Sequence, residues 1–248
     1  MSDQTPRLYA DLAWLWPLWG DPSEYAPFCE NAARLIEEHA RREVRTLLNV
    51  GCGGGKNVFT LKRRFAVTGL DISPAMLENA RRLNPECRFV VADMREFSLP
   101  ERFDAVLIDD GVAYMIAEGD LRSVFARAHA HLQPGGVMIV VPDDTTETFV
   151  QNRSQVTLAA AGGPANVDVV FVENDYDPDP DDTVFEALMI YIIRENGRLR
   201  IERDLHHLGL FPLDTWRRLT REAGFDVHEA EYFEDGKDYV QFVCLKPP

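Results

Sequence analysis

The chain has 248 residues and 46% hydrophobic content, which is ordinary for one α/β domain with a sizeable core. Its formal net charge of −15 argues against a nucleic-acid partner, because phosphate binding depends on clustered Lys and Arg. No stretch approaches the roughly 20 apolar residues that cross a bilayer, and the first residues lack the basic and apolar regions of a signal peptide. We therefore expect a single cytoplasmic domain over residues 1–248 that acts on a small molecule.

The most informative pattern lies between residues 47 and 71, where two apolar runs flank a glycine-rich turn. The first run, Leu47 to Val50, leads into glycines at three alternate positions, Gly51, Gly53 and Gly55. The second run, Phe65 to Leu70, ends in Asp71, twenty residues after the first glycine. A parallel α/β sheet binds a nucleoside cofactor with this unit of strand, glycine turn, helix and second strand ending in an acid.

The spacing of the glycines distinguishes between cofactors. Dinucleotide-binding folds use G-x-G-x-x-G, whereas this chain has G-x-G-x-G, with Lys56 where the third dinucleotide glycine would fall. With Asp71, the pattern resembles motifs I and II of the class I S-adenosylmethionine (SAM) dependent methyltransferases. The resemblance implies that the glycine loop passes under the amino acid part of SAM and that Asp71 binds both ribose hydroxyls. Asn49 replaces the usual acid two residues before the first glycine, and its amide oxygen can accept from the cofactor's ammonium without adding charge.

Three further strand-like runs follow in the order of this family. Residues 88–92 precede Asp93 and Met94, which resemble motif III, and the resemblance implies that Asp93 binds the adenine amine while Met94 packs on the ring. Residues 103–108 precede Asp109 and Asp110, and the fifth run covers residues 132–141. The resemblance thus implies SAM as the cofactor. The predicted cofactor-binding residues are Asn49, Gly51, Gly53, Gly55, Asp71, Ile72, Asp93, Met94 and Asp109.

Helix signals between these runs predict crossover connections, as a parallel sheet requires. Ser73 followed by Pro74 predicts a helix start, and Asp120 is predicted to cap a helix with an apolar stripe. Another helix is predicted from Leu213 to Ala223, before an antiparallel pair of strands at residues 226–232 and 239–245. We predict a Rossmann-like α/β fold with the seven-stranded methyltransferase sheet and helices on both faces.

Two regions lie outside this common sheet, and in the family such additions select the substrate. In the N-terminal region, residues 1–43, a helix from about Glu30 to Arg42 is predicted after a cluster of aromatic residues, Tyr9, Trp14, Trp16, Trp19, Tyr25 and Phe28. Aromatic residues at this density predict a lid that excludes water from the transferred methyl group. The alternative, an aromatic segment that only packs on the sheet, stays open.

The second region is an insertion at residues 145–211. Three strands are predicted within it, at residues 167–172, 183–194 and 198–208, with turns at Asp177-Pro178 and Asn196-Gly197. Asn-Gly between two strand-like runs is a strong hairpin signal. We predict a small antiparallel sheet that lies over the pocket or at a homodimer contact.

Short segments outside the cofactor motifs narrow the resemblance. They are Tyr9 to Leu12, Asp93 to Leu99, Gly111 to Met115 and Asp204 to Phe211. Together they resemble the bacterial sugar N,N-dimethyltransferases, and methyltransferases that act on glycine share much of the same plan. The resemblance implies N-methylation of a small-molecule amine. In the sugar enzymes a histidine lies near the amine at the position that Tyr114 occupies in this chain.

Methyl transfer depends mainly on geometry, since the donor and acceptor atoms must be held about 3 to 3.5 Å apart and in line. An amine must also be neutral when it attacks, and a nearby acid or phenol can receive or relay its proton. We predict Tyr9, Asp110 and Tyr114 as the catalytic residues, as positioners or base; a phenol with a pKa near 10 suits orientation better. His206 and His207 alternate faces on a predicted strand, so at most one can face the pocket.

The leading hypothesis is a SAM-dependent methyltransferase that N-methylates a small molecule. Alternatives are O-methylation, a SAM-binding subunit without catalysis, and a nicotinamide oxidoreductase, whose glycine spacing and catalytic set the sequence lacks. The net charge mildly favours a cationic acceptor. Four cysteines without metal-ligand spacing predict reduced thiols and no metal site.

Overall fold

The structure, a computed structural model, describes residues 5–159, 166–234 and 237–248. Its strands are β1 (Thr46–Val50), β2 (Ala66–Asp71), β3 (Arg88–Val91), β4 (Phe103–Ile108), β5 (Leu132–Val140), β6 (Arg153–Leu158), β7 (Val167–Tyr176), β8 (Val184–Glu195), β9 (Arg198–Gly209), β10 (Asp226–Glu234) and β11 (Lys237–Leu245). Its α-helices are α1 (Ala26–His39), α2 (Lys56–Leu61), α3 (Pro74–Leu83), α4 (Glu118–His131) and α5 (Leu213–Glu222). Short 3₁₀ turns lie at Arg7–Tyr9, Ala13–Leu18, Pro22–Tyr25 and Asp110–Tyr114.

Seven strands form a mixed sheet in the order β10-β11-β5-β4-β1-β2-β3. The first five strands along the chain pair in parallel, and β11 runs antiparallel to both β5 and β10. The predicted Rossmann-like sheet and its antiparallel closing pair are therefore confirmed. Because parallel strands end at one edge, the segments after β1, β2, β3 and β4 converge there.

Buried apolar layers cover both faces of this sheet. On one face, Val106 and Ile108 of β4 pack with Phe125 of α4 and Trp216 of α5. On the other, Leu47 of β1 packs in a second buried cluster, whose helical members include Ala32, Ile36, Val58 and Leu77. Burial of apolar surface on both faces stabilises a parallel sheet, with a free energy of roughly 25 cal/mol for each Å² buried.

Among the helices of the described residues, none has the length and apolar character needed to span a membrane.

Among the five α-helices of the described residues, only α3 begins with a side-chain cap. Ser73 caps α3 as predicted, because its hydroxyl accepts the Met76 N–H at 3.1 Å. The prediction that Asp120 caps α4 is wrong, since the helix begins at Glu118 after Ala117, and Asp120 lies inside the first turn facing Arg95. An acid in the first turn still stabilises the helix dipole. The first helix covers residues 26–39 rather than 30–42, because the chain becomes extended at residue 40.

The insertion forms a separate antiparallel sheet in the order β6-β7-β8-β9. Three strands were expected and four are present; β6 adds the extra edge strand, and its mostly exposed residues alternate too little in polarity to show in the sequence. The hairpin at Asn196-Gly197 is confirmed, with positive φ at both residues (50° and 76°). One face packs on the N-terminal segment, where Leu12 and Leu15 join Phe171 of β7 in a buried cluster.

Arg153 at the start of β6 forms ion pairs that connect this sheet to the segment after β5 of the main sheet. Its guanidinium pairs with Asp144, just after β5, and with Asp175 of β7, at 2.6 Å each. Both carboxylates are almost fully buried, so each depends on the guanidinium to compensate its charge.

Candidate active site

The glycine loop between β1 and α2 forms the floor of a cavity at the carboxyl edge of the sheet. Gly51, Gly53 and Gly55 all adopt positive φ, at 69°, 50° and 80°. Side chains are disfavoured in this conformation, and a Cβ at Gly51 would also lie 3.0 Å from the Met94 methyl. The bare backbone of Gly51 and Gly53 is therefore exposed to the cavity.

Asp71, the last residue of β2, organises the loop beside it. Its Oδ2 accepts the Gly53 N–H and its Oδ1 accepts the Ser73 N–H, both at 2.8 Å. Burial raises the pKa of Asp71, although these two backbone donors oppose the rise. Each carboxylate oxygen has a second lone pair, so both can still accept hydroxyl donors from the cavity. Ile72 follows with a 59% exposed side chain at the cavity wall.

The segment after β3 adds an acid and an apolar side chain to the same wall. Asp93 and Met94 both line the cavity, as does Arg95. The Arg95 guanidinium contacts both carboxylate oxygens of Asp93 and lowers the pKa of that carboxyl. The sequence analysis gave Arg95 no role in the site.

Two of the predicted cofactor residues lie elsewhere. Asn49 is 1% exposed and does not line the cavity, since alternation along β1 places it on the Leu47 face, under the helices. Its amide oxygen has no hydrogen-bond partner among the described residues. Gly55 also lies off the cavity and instead lets α2 approach α3, where a Cβ would come within 3.1 Å of the Ala80 backbone. The remaining residues, Gly51, Gly53, Asp71, Ile72, Asp93, Met94 and Asp109, all line the cavity.

The N-terminal aromatic segment covers this cavity. Tyr9, Trp16 and Tyr25 line it from above, and a Cβ at Gly54 would lie 2.0 Å from the Trp16 indole. Lys56 joins the segment to the loop, since its ammonium donates to the Trp19 carbonyl and lies 4.9 Å from the centre of the Trp16 ring. Burial lowers the pKa of Lys56 to about 8. The segment thus both packs in a buried cluster and supplies part of the cavity wall.

A second cavity adjoins the first and is rich in carboxylates. Its lining acids come from the N-terminal segment, the two loops after β4 and β5, and β7; they are Glu24, Asp109, Asp110, Asp143 and Glu173. Among the described residues, no Lys or Arg lines it. The two cavities share Tyr9, Trp16, Tyr25, Asp109, Asp110 and Tyr114 as a common wall.

Glu173 of β7 is one of these acids, and the sequence did not single it out. Burial, reinforced by the negative charges of Asp175 and Asp143, raises the pKa of Glu173 to about 7. Its carboxyl group therefore changes charge near neutral pH, as acid–base groups at functional sites often do.

The three predicted catalytic residues meet where the cavities join. The hydroxyls of Tyr9 and Tyr114 lie 3.1 Å apart, and burial raises the pKa of both phenols, so both are neutral near pH 7. Asp110 lines both cavities beside them. The Tyr114 hydroxyl also lies 2.6 Å from Nδ1 of His206, a buried β9 residue that sequence reasoning left unassigned; its neighbour His207 is exposed.

Comparisons with known proteins bear on the class of enzyme. The methyltransferase domain family model matches residues 47–136. The dTDP-3-amino-3,6-dideoxy-alpha-D-glucopyranose N,N-dimethyltransferase of Streptomyces fradiae is 29% identical over 84% of this chain and 80% of its own. DesVI of Streptomyces venezuelae superposes with a TM-score of 0.83 at 26% identity, covering 97% of this chain and 98% of that one. SAM-bound CalS10, an amino pentose methyltransferase from Micromonospora echinaspora, gives 0.77 at 25% identity and 99% coverage of both chains.

The Streptomyces fradiae relative is named as an N,N-dimethyltransferase, and CalS10 is described as a SAM-bound amino pentose methyltransferase. The spacing that separates this loop from dinucleotide-binding loops lies within the matched residues 47–136. The chain is therefore a SAM-dependent methyltransferase, and it resembles the class I enzymes and, among them, the sugar N-methyltransferases.

Proposed function

We propose that this enzyme methylates the amino group of an amino sugar, with the first cavity holding SAM and the second holding the sugar. The observation that supports this most directly is the pair of adjoining cavities with Tyr9, Asp110 and Tyr114 in their common wall. Because these residues border both cavities, a donor in one cavity and an acceptor in the other would have their reacting atoms close together. Holding the two atoms close and in line supplies most of the rate enhancement of a methyl transfer.

The residues that line the first cavity suit the parts of SAM. The bare glycine backbone leaves room for the amino acid part, Asp71 can accept from two ribose hydroxyls, and Ile72 and Met94 supply apolar surface for a base. SAM, when bound, supplies a methyl group on a positively charged sulfur that an amine nitrogen can displace in line. Tyr9, Trp16 and Tyr25 exclude water from this junction, which supports the proposal that the N-terminal region acts as a lid.

The charge of the second cavity favours an amine over an anionic acceptor. Five carboxyl groups and no described Lys or Arg create a negative potential that attracts an ammonium group and repels a carboxylate. Glu173 and Asp110 are the acids we assign to the amine, because Glu173 titrates near neutral pH and Asp110 also reaches the first cavity. A phosphorylated carrier on the sugar would have to remain outside this cavity, toward solvent.

The test is a direct assay with the acceptor of the Streptomyces fradiae relative, dTDP-3-amino-3,6-dideoxyglucose. We expect release of S-adenosylhomocysteine and a product heavier by one or two methyl groups, detected by mass spectrometry. The free amino sugar without the nucleotide serves as a second acceptor, and the matching 3-hydroxy sugar and an aliphatic tricarboxylate serve as controls. Methylation of a control acceptor in preference to both amines would contradict the proposal.

We further propose that the outer face of the insertion, within residues 145–211, pairs with a second copy of the chain. This face is apolar across β6 and β9, where Val156, Leu158 and Ile201 are each more than 60% exposed. Register places them on the face opposite to Phe171 and Tyr191, which pack toward the active site. A two-fold dimer would bury the same patch on both copies.

A cytoplasmic location and the lack of a nucleic-acid partner stay predictions.

Sedimentation velocity tests the dimer. Ile201→Lys should produce monomers at concentrations where the parent chain is dimeric, because it places two charges in one symmetric contact. Phe233→Lys is the matched control, since Phe233 is 66% exposed on β10, in the other sheet. A monomeric parent chain, or equal dissociation by both variants, would refute this surface.

A further inference from the structure

Two consecutive residues of the N-terminal segment are bonded to opposite halves of the site. The Leu8 N–H donates to the Asp204 carboxylate of β9 at 2.8 Å, which connects the segment to the insertion. The Tyr9 carbonyl oxygen accepts the Ser73 hydroxyl at 2.5 Å, which connects the segment to the start of α3. Tyr9 is therefore the point at which the segment passes from the insertion to the cofactor half of the molecule.

The directions of the bonds at Ser73 are fixed by its partners. A carbonyl oxygen only accepts, so the single hydroxyl proton of Ser73 goes to Tyr9. The same hydroxyl oxygen accepts the Met76 N–H at 3.1 Å and so caps α3. The backbone N–H of Ser73 donates separately to Oδ1 of Asp71, which lines the first cavity. Ser73, only 3% exposed, thus connects the Asp71 carboxyl group to the backbone of Tyr9.

The position of Tyr9 matters to both cavities. Its side chain lines the two of them, and the chain from Leu8 to Phe28 supplies a large part of the wall of the second. Hydroxyl donors from a ribose would add bonds to Asp71 and so restrict the turn that carries Ser73. A ligand that orders one element leaves less for a second ligand to order, and the two then bind cooperatively.

We propose that Ser73 is a positioning residue that transmits cofactor binding to the acceptor cavity by holding the backbone of Tyr9. This inference rests on the proposed function, with SAM in the first cavity and the amino sugar in the second. With SAM bound, the turn from Asp71 to Ser73 is fixed, and the Ser73 hydroxyl holds Tyr9 at the junction of the cavities. The wall of the acceptor cavity is then complete, and each ligand strengthens the binding of the other by the same factor.

Three substitutions of Ser73 separate its bonds from one another. Ser73→Ala removes the hydroxyl but keeps the backbone N–H that donates to Asp71. Ser73→Asp keeps an acceptor for the Met76 N–H, since aspartate caps helices about as well as serine, but a carboxylate has no proton to donate to Tyr9. Ser73→Thr keeps a hydroxyl that can serve both partners. Capping of α3 and donation to Tyr9 are thereby told apart.

Asn79, on the same helix, provides a matched control. Its amide donates to the Ala13 carbonyl oxygen at 2.8 Å, so it also holds the N-terminal segment. It is 7% exposed, close to the 3% of Ser73, and it is absent from the lining of both cavities. Asn79→Ala therefore loosens the segment at a second buried contact and leaves the bonds between Asp71, Ser73 and Tyr9 in place.

Hydrogen exchange measures the coupling without any acceptor. The N–H groups of Leu8, Tyr9 and Leu12 are hydrogen-bonded, so their exchange reports opening of the segment. Saturating S-adenosylhomocysteine should slow this exchange about tenfold in the parent chain and in Ser73→Thr, but less than about twofold in Ser73→Ala and Ser73→Asp. Asn79→Ala should exchange faster without ligand and still be slowed about tenfold by S-adenosylhomocysteine.

Several results would overturn the coupling. They are the absence of slowing in the parent chain, equal slowing in Ser73→Ala or Ser73→Asp, and loss of the slowing in Asn79→Ala. The last would mean that any loosening of the segment has the same effect. If Ser73→Ala does not fold, Ser73→Asp decides the same question with the helix cap retained.

A binding arm separates failure of the coupling from failure of the proposed function. Calorimetry with dTDP-3-amino-3,6-dideoxyglucose should show about tenfold tighter binding when S-adenosylhomocysteine is present, and less than about twofold in Ser73→Ala. A sugar that does not bind, while the exchange results hold, would refute the proposed acceptor and leave the coupling standing. A sugar that is bound and methylated by a chain without the exchange effect would overturn the coupling and leave the proposed function standing.

Discussion

Replacing Glu173 with Gln should stabilise the protein at alkaline pH and have no effect on stability at acid pH. Burial raises the pKa of this carboxyl from an ordinary value of 4.5 to about 7, so the folded protein resists its ionisation. Below pH 4.5 the group is neutral in both the folded and the unfolded chain and costs nothing. Between 4.5 and 7 only the unfolded chain ionises it, and the free energy of unfolding falls as pH rises.

The size of the effect follows from that pKa difference. Each pKa unit corresponds to 1.36 kcal/mol, so the ionised carboxyl costs about 3 kcal/mol of stability above pH 7. Glutamine has nearly the same shape and carries no charge, so Glu173→Gln should recover most of this. For a chain of this length, that is roughly 6–12 °C in the melting temperature.

The measurement is thermal unfolding of parent and variant at about pH 5 and about pH 8, without ligand. Glu195→Gln is the control, because it removes an exposed carboxyl from β8 and should leave the melting temperature unchanged at both pH values. A difference between parent and Glu173→Gln that is the same at both pH values would refute the reasoning. If the carboxyl also binds the amine, the stabilised variant should bind the acceptor more weakly, an exchange of stability for function.

Three other changes test separate parts of the structure. Arg153→Leu leaves two buried carboxylates uncompensated and should cost about 3–5 kcal/mol in urea unfolding, a loss that neutral amides at both partner positions should largely reverse. Asp71→Ala should weaken S-adenosylhomocysteine binding roughly 10- to 150-fold by calorimetry, and unchanged affinity would show that the ribose lies elsewhere. Gly54→Ala should displace Trp16 and speed proteolysis of the N-terminal segment, whereas Gly119→Ala, with open space around its Cβ, should not.

Much of the central sheet was predictable because its signals are local. An apolar run that ends in Gly51, Asp71 or Asp93 predicts both a strand of the sheet and, within a few residues, the end of that strand that lines the cavity. The capping of α3 by Ser73 is equally local. The prediction for Asp120 was wrong because aspartate is favoured both as the N-cap of a helix and within its first turn. The sequence alone does not distinguish these two positions.

The acceptor side of the site was only partly predictable because its residues are far apart in the sequence and come into contact only in the folded chain. Tyr9 and Tyr114 were predicted from resemblance, but their connection to His206 depends on how β9 packs beside the turn after β4. Glu173 gives no signal in its sequence context; its raised pKa comes from burial and from acids on other segments. Asn49 was assigned to the cofactor by its position before the glycines, whereas strand alternation places it under the helices.

The common wall of the two cavities has a consequence for repeated methylation. In the proposed function, ligands in both cavities lie behind Tyr9, Trp16 and Tyr25, so lifting the N-terminal segment to exchange S-adenosylhomocysteine for fresh SAM would also uncover the acceptor. A singly methylated sugar would then escape to solvent before a second transfer. Dimethylation by this enzyme should therefore be distributive, with free monomethyl product accumulating early in the reaction and competing with unmodified sugar for the next turnover.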